Sequence, residues 1–128
     1  MLKQKLAKII SFGKWLFILP FTMYVILHFG QPEIGASFVP SALPFPLFWN
    51  YFTGLCLIAF IVSALTGTLD KLAALLMALY VVLMIFLVHI PRAGTSENDL
   101  LNIFRNTMVT GALLMYAQAF ARDKRLVG

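Results

Sequence analysis

The stretch His28–Gly54, HFGQPEIGASFVPSALPFPLFWNYFTG, is the one long interruption in an otherwise nearly continuous apolar sequence. Three prolines between Gly35 and Trp49 prevent a continuous helix there, and the aromatic residues between them favour a membrane interface. Non-helical backbone at that depth must be covered by protein or reach water. We therefore predict a short interfacial or partly re-entrant segment that folds over one end of a helical bundle.

The composition on either side of this stretch is that of a membrane protein. Of the 128 residues, 61% are hydrophobic and 12% are charged, and the mean hydropathy is +0.90. A soluble domain of this size is much more polar. The net charge of +5 comes from residues at the ends of apolar segments, with no basic patch between aromatics. We expect the lipid bilayer as a partner and no nucleic acid.

Four apolar runs are each close to the length of about 20 residues that a helix needs to cross a bilayer. They cover approximately residues 10–29, 48–65, 72–90 and 103–120. The runs do not alternate strictly, which favours helices over the strands of a barrel. The predicted fold is an all-α membrane protein, with four transmembrane helices in an antiparallel up-down bundle. It forms a single domain over residues 1–128.

The distribution of Lys and Arg predicts the orientation of this bundle. If the N-terminus is cytoplasmic, eight of the ten basic residues lie on the cytoplasmic side. These are Lys3, Lys5, Lys8, Lys14, Lys71, Arg122, Lys124 and Arg125. Both termini are then cytoplasmic, and Arg92 and Arg105 lie outside. The turn TGTLDK, which contains Asp70 and Lys71, is predicted to be solvated.

The sequence excludes several kinds of site. A single cysteine, Cys56, leaves no intrachain disulfide, no CxxC pair and no cysteine-based zinc site. Phosphate-binding glycine loops, HExxH and GxSxG are absent. We therefore predict no metal site and no self-contained catalytic site, and the catalytic residues, if there are any, are unknown.

The predicted topology places the polar ends of all four helices at the outer face. The candidate ligand-binding residues there are His28, Glu33, Asn50, Thr53, His89, Arg92 and Arg105. Ionisable groups near membrane depth are costly, so they usually pair or line a cavity. The alternative interpretation is plain anchoring at the interface, with Glu33 paired to Arg92 or Arg105.

The family resemblance rests on FVPSALPFPLFW (residues 38–49), Thr53-Gly54, DKLAALL (residues 70–76) and HIPR (residues 89–92). With these motifs the chain, from about Phe12 to Ala121, resembles the DoxX-like family of small four-helix membrane proteins. The resemblance implies a bacterial inner-membrane protein, in a family linked to thiosulfate and quinone oxidation or to oxidative-stress complexes. Family members often carry a glutamate three residues after the glycine. This chain has Leu57, so no role of that carboxylate is carried over.

Three functions remain open on the sequence. The first is an integral-membrane subunit that binds quinone or another hydrophobic ligand at its outer face for a redox partner, with His28 and His89 contacting the ligand head. The second is a non-catalytic scaffold or assembly factor for an exported or membrane partner. The third is a haem b protein, because two histidines from alternate helices at matched depth suit haem ligation. A homo-oligomer is also open.

Overall fold

The computed structural model describes residues 1–128, and helices are the only regular secondary structure in it, without a β-strand. Eight α-helices and one π-helical segment follow one another along it. They are α1 (Leu2–Ser11), α2 (Gly13–Ile18), α3 (Phe21–Gly30), α4 (Pro32–Ser37), α5 (Pro46–Thr66), α6 (Asp70–Met84), the π segment (Ile85–His89), α7 (Ile90–Arg92) and α8 (Glu97–Ala119). The predicted all-α fold is confirmed.

Three helical stretches are long and apolar enough to cross a membrane: Leu2–Gly30, Pro46–Thr66 and Asp70–Arg92. They contain the first three predicted spans, and the first begins eight residues before the predicted start. The helix α8 has 23 residues, but it is not among these three. It begins at Glu97, well before the predicted start at about residue 103, and its first turn carries acidic side chains.

The first stretch is broken twice, at Phe12 and at Leu19-Pro20. Pro20 explains the second break, because proline lacks an N–H donor and its ring clashes with the carbonyl four residues earlier. Before the first break, α1 has no buried residue, which suits a helix lying against lipid headgroups.

Local sequence explains where the helices begin and end. Prolines stand in the first turn of α4 and α5, where a missing N–H costs no hydrogen bond. The helix α5 ends at Gly67, whose φ of 69° is left-handed and suits glycine. The next helix starts at Asp70, so the predicted tight turn between the second and third spans is confirmed.

One hydrophobic core draws on α2, α5, α6 and α8. Its members are Ile18, Leu57, Phe60, Ile61, Ala64, Ala74, Met77, Ala78, Val81, Leu113, Tyr116, Ala117 and Ala121. The Phe60 ring of α5 contacts α3 and α8, since its centroid lies 5.0 Å from that of Phe21 and 6.5 Å from that of Tyr116. Leu57 is 4% exposed in this core. An apolar side chain there avoids the cost of an unpaired buried carboxylate.

The prediction that Asp70 is solvated is wrong. Asp70 is 1% exposed, and its carboxylate accepts the backbone N–H groups of Arg122 and Asp123 at 2.8–3.1 Å. The chain after α8 therefore returns to the start of α6. Lys71 is half-buried and donates to the backbone carbonyl of Gly128 at 3.1 Å.

Candidate functional site

His89 and Asp99 form a buried pair between the end of the π segment and the first turn of α8. The Nδ1 atom of His89 lies 2.7 Å from Oδ1 of Asp99, and the two side chains are 9% and 5% exposed. Arg92 adds a longer ion pair, with its Nε atom 3.5 Å from Oδ2 of Asp99. A carboxylate between an imidazole and a guanidinium has partners for both of its oxygens.

Two local features hold this pair in place. Ser96 caps α8, since its hydroxyl oxygen accepts the backbone N–H of Asp99 at 3.2 Å. On the other side, Pro91 has no N–H to donate to the preceding turn, and the wider π-helical turn lies directly before it. His89 ends that turn, so its ring is presented to α8.

The environment keeps Asp99 ionised. The imidazole of His89 and the guanidinium of Arg92 both lie beside its carboxylate, at 2.7 and 3.5 Å. An ionised carboxylate only accepts hydrogen bonds. The Nδ1 atom of His89 must therefore carry the proton and donate it.

The other ring nitrogen of His89 is available. Only Nδ1 has a hydrogen-bond partner in the protein, and no buried side-chain nitrogen or oxygen lacks a partner. The Nε2 atom therefore reaches the surface of the molecule. A histidine whose Nδ1 is fixed by a carboxylate is held in one ring orientation, which suits it to bind a ligand or accept a proton.

His28 and Asn50 form a second cluster, which joins α3 to α5. The Nδ1 atom of His28 lies 2.8 Å from the Asn50 side-chain oxygen and 3.0 Å from its backbone carbonyl. In return, Nδ2 of Asn50 donates to the His28 carbonyl at 2.8 Å. The Thr53 hydroxyl is 3.4 Å from the same Nδ1 atom. Asn50 is 1% exposed, while His28 and Thr53 are half-buried.

The proline-aromatic segment, residues 31–45, contacts both clusters. Gly35 of α4 lies so close to Asn50 that a Cβ atom there would overlap its side-chain oxygen. Phe38 lies under the Arg92 guanidinium, whose central carbon is 4.8 Å from the ring centroid. At the end of the segment, Trp49 donates its indole N–H to the Pro44 carbonyl at 2.9 Å. The segment thus lies over the end of the molecule where both histidines are found.

Several candidate residues are not brought together. The predicted pairing of Glu33 with Arg92 or Arg105 is wrong, because Arg92 pairs with Asp99 and neither Glu33 nor Arg105 forms an ion pair. Both are exposed. Glu33 instead lines an open groove with the apolar residues Ala36 and Phe45–Phe48.

The two histidines belong to separate hydrogen-bonded clusters, and no three His, Cys, Asp or Glu side chains are grouped as a metal site would need.

Asp99 is the site residue that sequence reasoning missed, because it lies in the polar stretch before the predicted fourth span, residues 103–120. A signal was present. Ser96 and Asp99 stand three residues apart just before an apolar run, which is the spacing of a capping box. That spacing predicts a helix start at Ser96 and turns the aspartate back towards the preceding chain.

Comparisons of the chain with protein-family models, with curated proteins and with solved structures find no match.

Proposed function

We propose that the chain is a four-helix integral-membrane protein of DoxX-like type, a single domain in the bacterial inner membrane with both termini in the cytoplasm. Three apolar helices of membrane length support this arrangement. The helix α8 contributes Leu113, Tyr116 and Ala117 to the same core as the other helices, which supports it as the fourth span. The orientation rests on the eight basic residues that cluster on one side.

In this arrangement the protein binds a hydrophobic ligand with a polar head at His89, in support of a redox partner. A quinone is the leading ligand class. The observation that carries the proposal is the buried His89–Asp99 pair, with the imidazole fixed through Nδ1 and Nε2 unpaired. Buried ionisable groups at membrane depth are expensive to keep. An oriented imidazole with a free nitrogen, next to an apolar surface that faces lipid, suits a ligand that arrives from the bilayer.

The surroundings of His89 suit such a ligand. Phe86, Leu87 and Ile90 are large exposed apolar residues next to His89 in the chain. In the bilayer they offer an apolar surface for the body of a quinone. Arg92, stacked on Phe38 and paired with Asp99, supplies a cation beside the His89–Asp99 pair. Quinone redox chemistry is supplied by the bound molecule itself, while the chain holds and orients its head.

The test is binding to the purified full chain in lipid nanodiscs. A benzoquinone with an alkyl tail and its hydroquinone are titrated while the thermal unfolding midpoint is followed. We expect a saturable rise with at least one of the two, because a ligand that binds only the folded state stabilises it. His89→Ala should abolish the rise. Glu97→Gln, an exposed carboxylate in the first turn of α8, serves as the matched control. No shift with either compound contradicts the proposal.

A scaffold role is the second candidate, and exposed apolar residues favour it. Leu43, Phe45, Leu47 and Phe48 are all exposed at the end of the proline-aromatic segment and the start of α5, with Phe45 at 76%. Such a surface also suits an exported or membrane partner. In that case the double variant His28→Ala/His89→Ala still binds the partner, whereas deletion of residues 41–44 removes this binding.

Haem ligation by both histidines is the third candidate, and no contact joins the His28 cluster to the His89 cluster to support it. Purified protein without a Soret band would overturn it.

A further inference from the structure

We infer that the ligand bound at His89 presents a hydrogen-bond donor to the Nε2 atom, so that its head is a hydroxyl, as in a hydroquinone or a phenol. The inference rests on the proposed function, because it names the ligand class for the same site. It concerns the binding step alone.

The first step is the position of the proton on His89. Oδ1 of Asp99 faces Nδ1 of the imidazole at 2.7 Å, and its Oδ2 faces Arg92. Both oxygens accept, so the ring proton lies on Nδ1. In a neutral imidazole the opposite nitrogen, Nε2, then carries a lone pair and accepts hydrogen bonds.

The second step is the charge of the pair. Arg92 already supplies a positive charge beside the Asp99 carboxylate, with Nε 3.5 Å from Oδ2. With a neutral imidazole the cluster holds one negative charge, on Asp99, and one positive charge, on Arg92, so its charges balance. In this state Nε2 carries the lone pair and accepts a hydrogen bond.

The second histidine has the same arrangement. Nδ1 of His28 faces two carbonyl oxygens of Asn50, and the Asn50 amide is oriented by its own bond from Nδ2 to the His28 carbonyl. The proton of His28 therefore also lies on Nδ1. The Thr53 hydroxyl, which is close to that ring, is within donating distance of the carbonyls of Trp49 and Asn50. Both imidazoles thus present acceptors at this end of the molecule.

This pattern discriminates between two heads of nearly the same shape. A hydroxyl donates to Nε2, while a quinone carbonyl or a methyl ether meets it as one acceptor facing another. One hydrogen bond made or lost changes affinity by up to about tenfold. The structure thus assigns a preference for the hydroxylated form of the ligand.

The binding test uses three probes on one tail: an alkyl hydroquinone, its dimethyl ether and the corresponding benzoquinone, under anaerobic conditions. The full chain in nanodiscs should bind the hydroquinone roughly tenfold more tightly than the other two. Asp99→Asn, which no longer fixes the ring proton, should bring the three affinities closer together, while Glu97→Gln leaves the ratio unchanged. Equal affinities in the wild type overturn the inference and leave the proposed function standing. Failure of all three to bind overturns both.

A second measurement needs no ligand. Nitrogen-15 NMR of the histidine-labelled chain distinguishes the two neutral tautomers from the imidazolium. We expect the Nδ1-protonated tautomer for both His28 and His89 at neutral pH, and loss of that signature for His89 alone in Asp99→Asn. An Nε2-protonated or doubly protonated His89 in the wild type overturns the inference. Because this readout follows the ring proton, a purely structural role of Asp99 would not produce it.

Discussion

The carboxylates of Asp70 and Asp123 accept backbone N–H groups from each other's segments of the chain. Asp70, in the first turn of α6, accepts from Arg122 and Asp123, and Asp123 accepts from Leu69 at 2.7 Å. Leu69 has φ 52°, a left-handed conformation that costs a non-glycine residue about 1–2 kcal/mol. The reciprocal hydrogen bonds hold this strained turn and tie the chain after α8 to it.

Asp70→Asn should lower the free energy of unfolding by about 1–3 kcal/mol, the range for disrupting hydrogen bonds to a buried charged group. The amide retains one accepting oxygen, but it turns an NH₂ group towards N–H donors. Chemical denaturation in a fixed detergent, followed by circular dichroism, measures the change.

The matched control for Asp70→Asn is Glu97→Gln. Glu97 also lies in the first turn of a helix, but it is exposed and has no hydrogen-bonded partner of this kind. Both changes remove a negative charge near a helix N-terminus, so the helix-dipole contribution is shared. If the two variants lose equal stability, the reciprocal hydrogen bonds are not the cause of the loss in Asp70→Asn.

Acid should weaken the same contact. Hydrogen bonds from the Arg125 side chain, and then from the Leu69 and Arg125 N–H groups, hold the pKa of Asp123 well below its ordinary value. A group whose folded pKa is depressed stabilises the protein fully above its unfolded pKa of about 3.9 and loses that contribution as the pH falls towards the folded pKa. We therefore expect the midpoint temperature of thermal unfolding of the wild type to decrease as the pH is lowered below about 4.

Asp123→Asn isolates this contribution to the pH dependence. The variant should be less stable than the wild type at pH 7, and the difference should shrink as the pH falls below about 4. Thermal unfolding at a series of pH values, in one buffer system and one detergent, measures it. A difference that stays constant down to the lowest pH would show that Asp123 does not titrate with folding.

The two carboxylates show why part of the molecule was predictable and part was not. Helix type and approximate span follow from local runs of apolar residues, and the break at Pro20 follows from one side chain. Asp70 looked solvated because TGTLDK is a typical polar turn. Its partners, Arg122 and Asp123, lie at the far end of the chain, where no local pattern connects them to the turn.

The candidate site divides in the same way. His28, Asn50 and Thr53 were expected to meet because their helix ends lie at the same depth, and they do. The predicted Glu33–Arg92 pair is wrong because Arg92 pairs with Asp99 instead. Charge alone could not show which of these two carboxylates lies beside Arg92. Asp99 lies opposite His89 because α8 begins at Glu97. The polar residues of this stretch had led us to predict the start of the fourth span at about residue 103.

Gly35→Ala tests the contact between α4 and α5. A Cβ atom at Gly35 would overlap the Asn50 side-chain oxygen and come within 3.6 Å of Nδ1 of His28. Asn50 cannot move away without breaking its bonds to His28, so we expect a loss of about 1–3 kcal/mol, the usual cost of overpacking. Denaturant unfolding measures it.

Gly30→Ala is the control for this variant. Gly30 ends α3, five positions before Gly35, and a Cβ atom there meets nothing within 4 Å. It should therefore change stability by a few tenths of a kcal/mol at most. Equal effects at the two positions would argue against close packing of α4 on Asn50.

The crossing of α8 is the feature of the topology that most needs a test, since this helix is not among the three of membrane length and hydropathy. In a Cys56→Ala background, Thr95→Cys and Lys124→Cys place single thiols at exposed positions on either side of α8. A membrane-impermeant maleimide should label the Thr95→Cys variant in intact cells. The Lys124→Cys variant should react only after the cells are permeabilised.

The unsubstituted Cys56→Ala chain is the control, and it should not be labelled in either condition. The two possible failures carry different meanings. Reversed labelling would place the termini outside and contradict the orientation drawn from the basic residues, while α8 would still cross the membrane. Labelling of both variants from the same side would show that α8 does not cross, because only this helix and its short flanks separate the two positions. His89 and Asp99 would then lie at the end of a three-span protein whose last helix packs along α6 without spanning the bilayer.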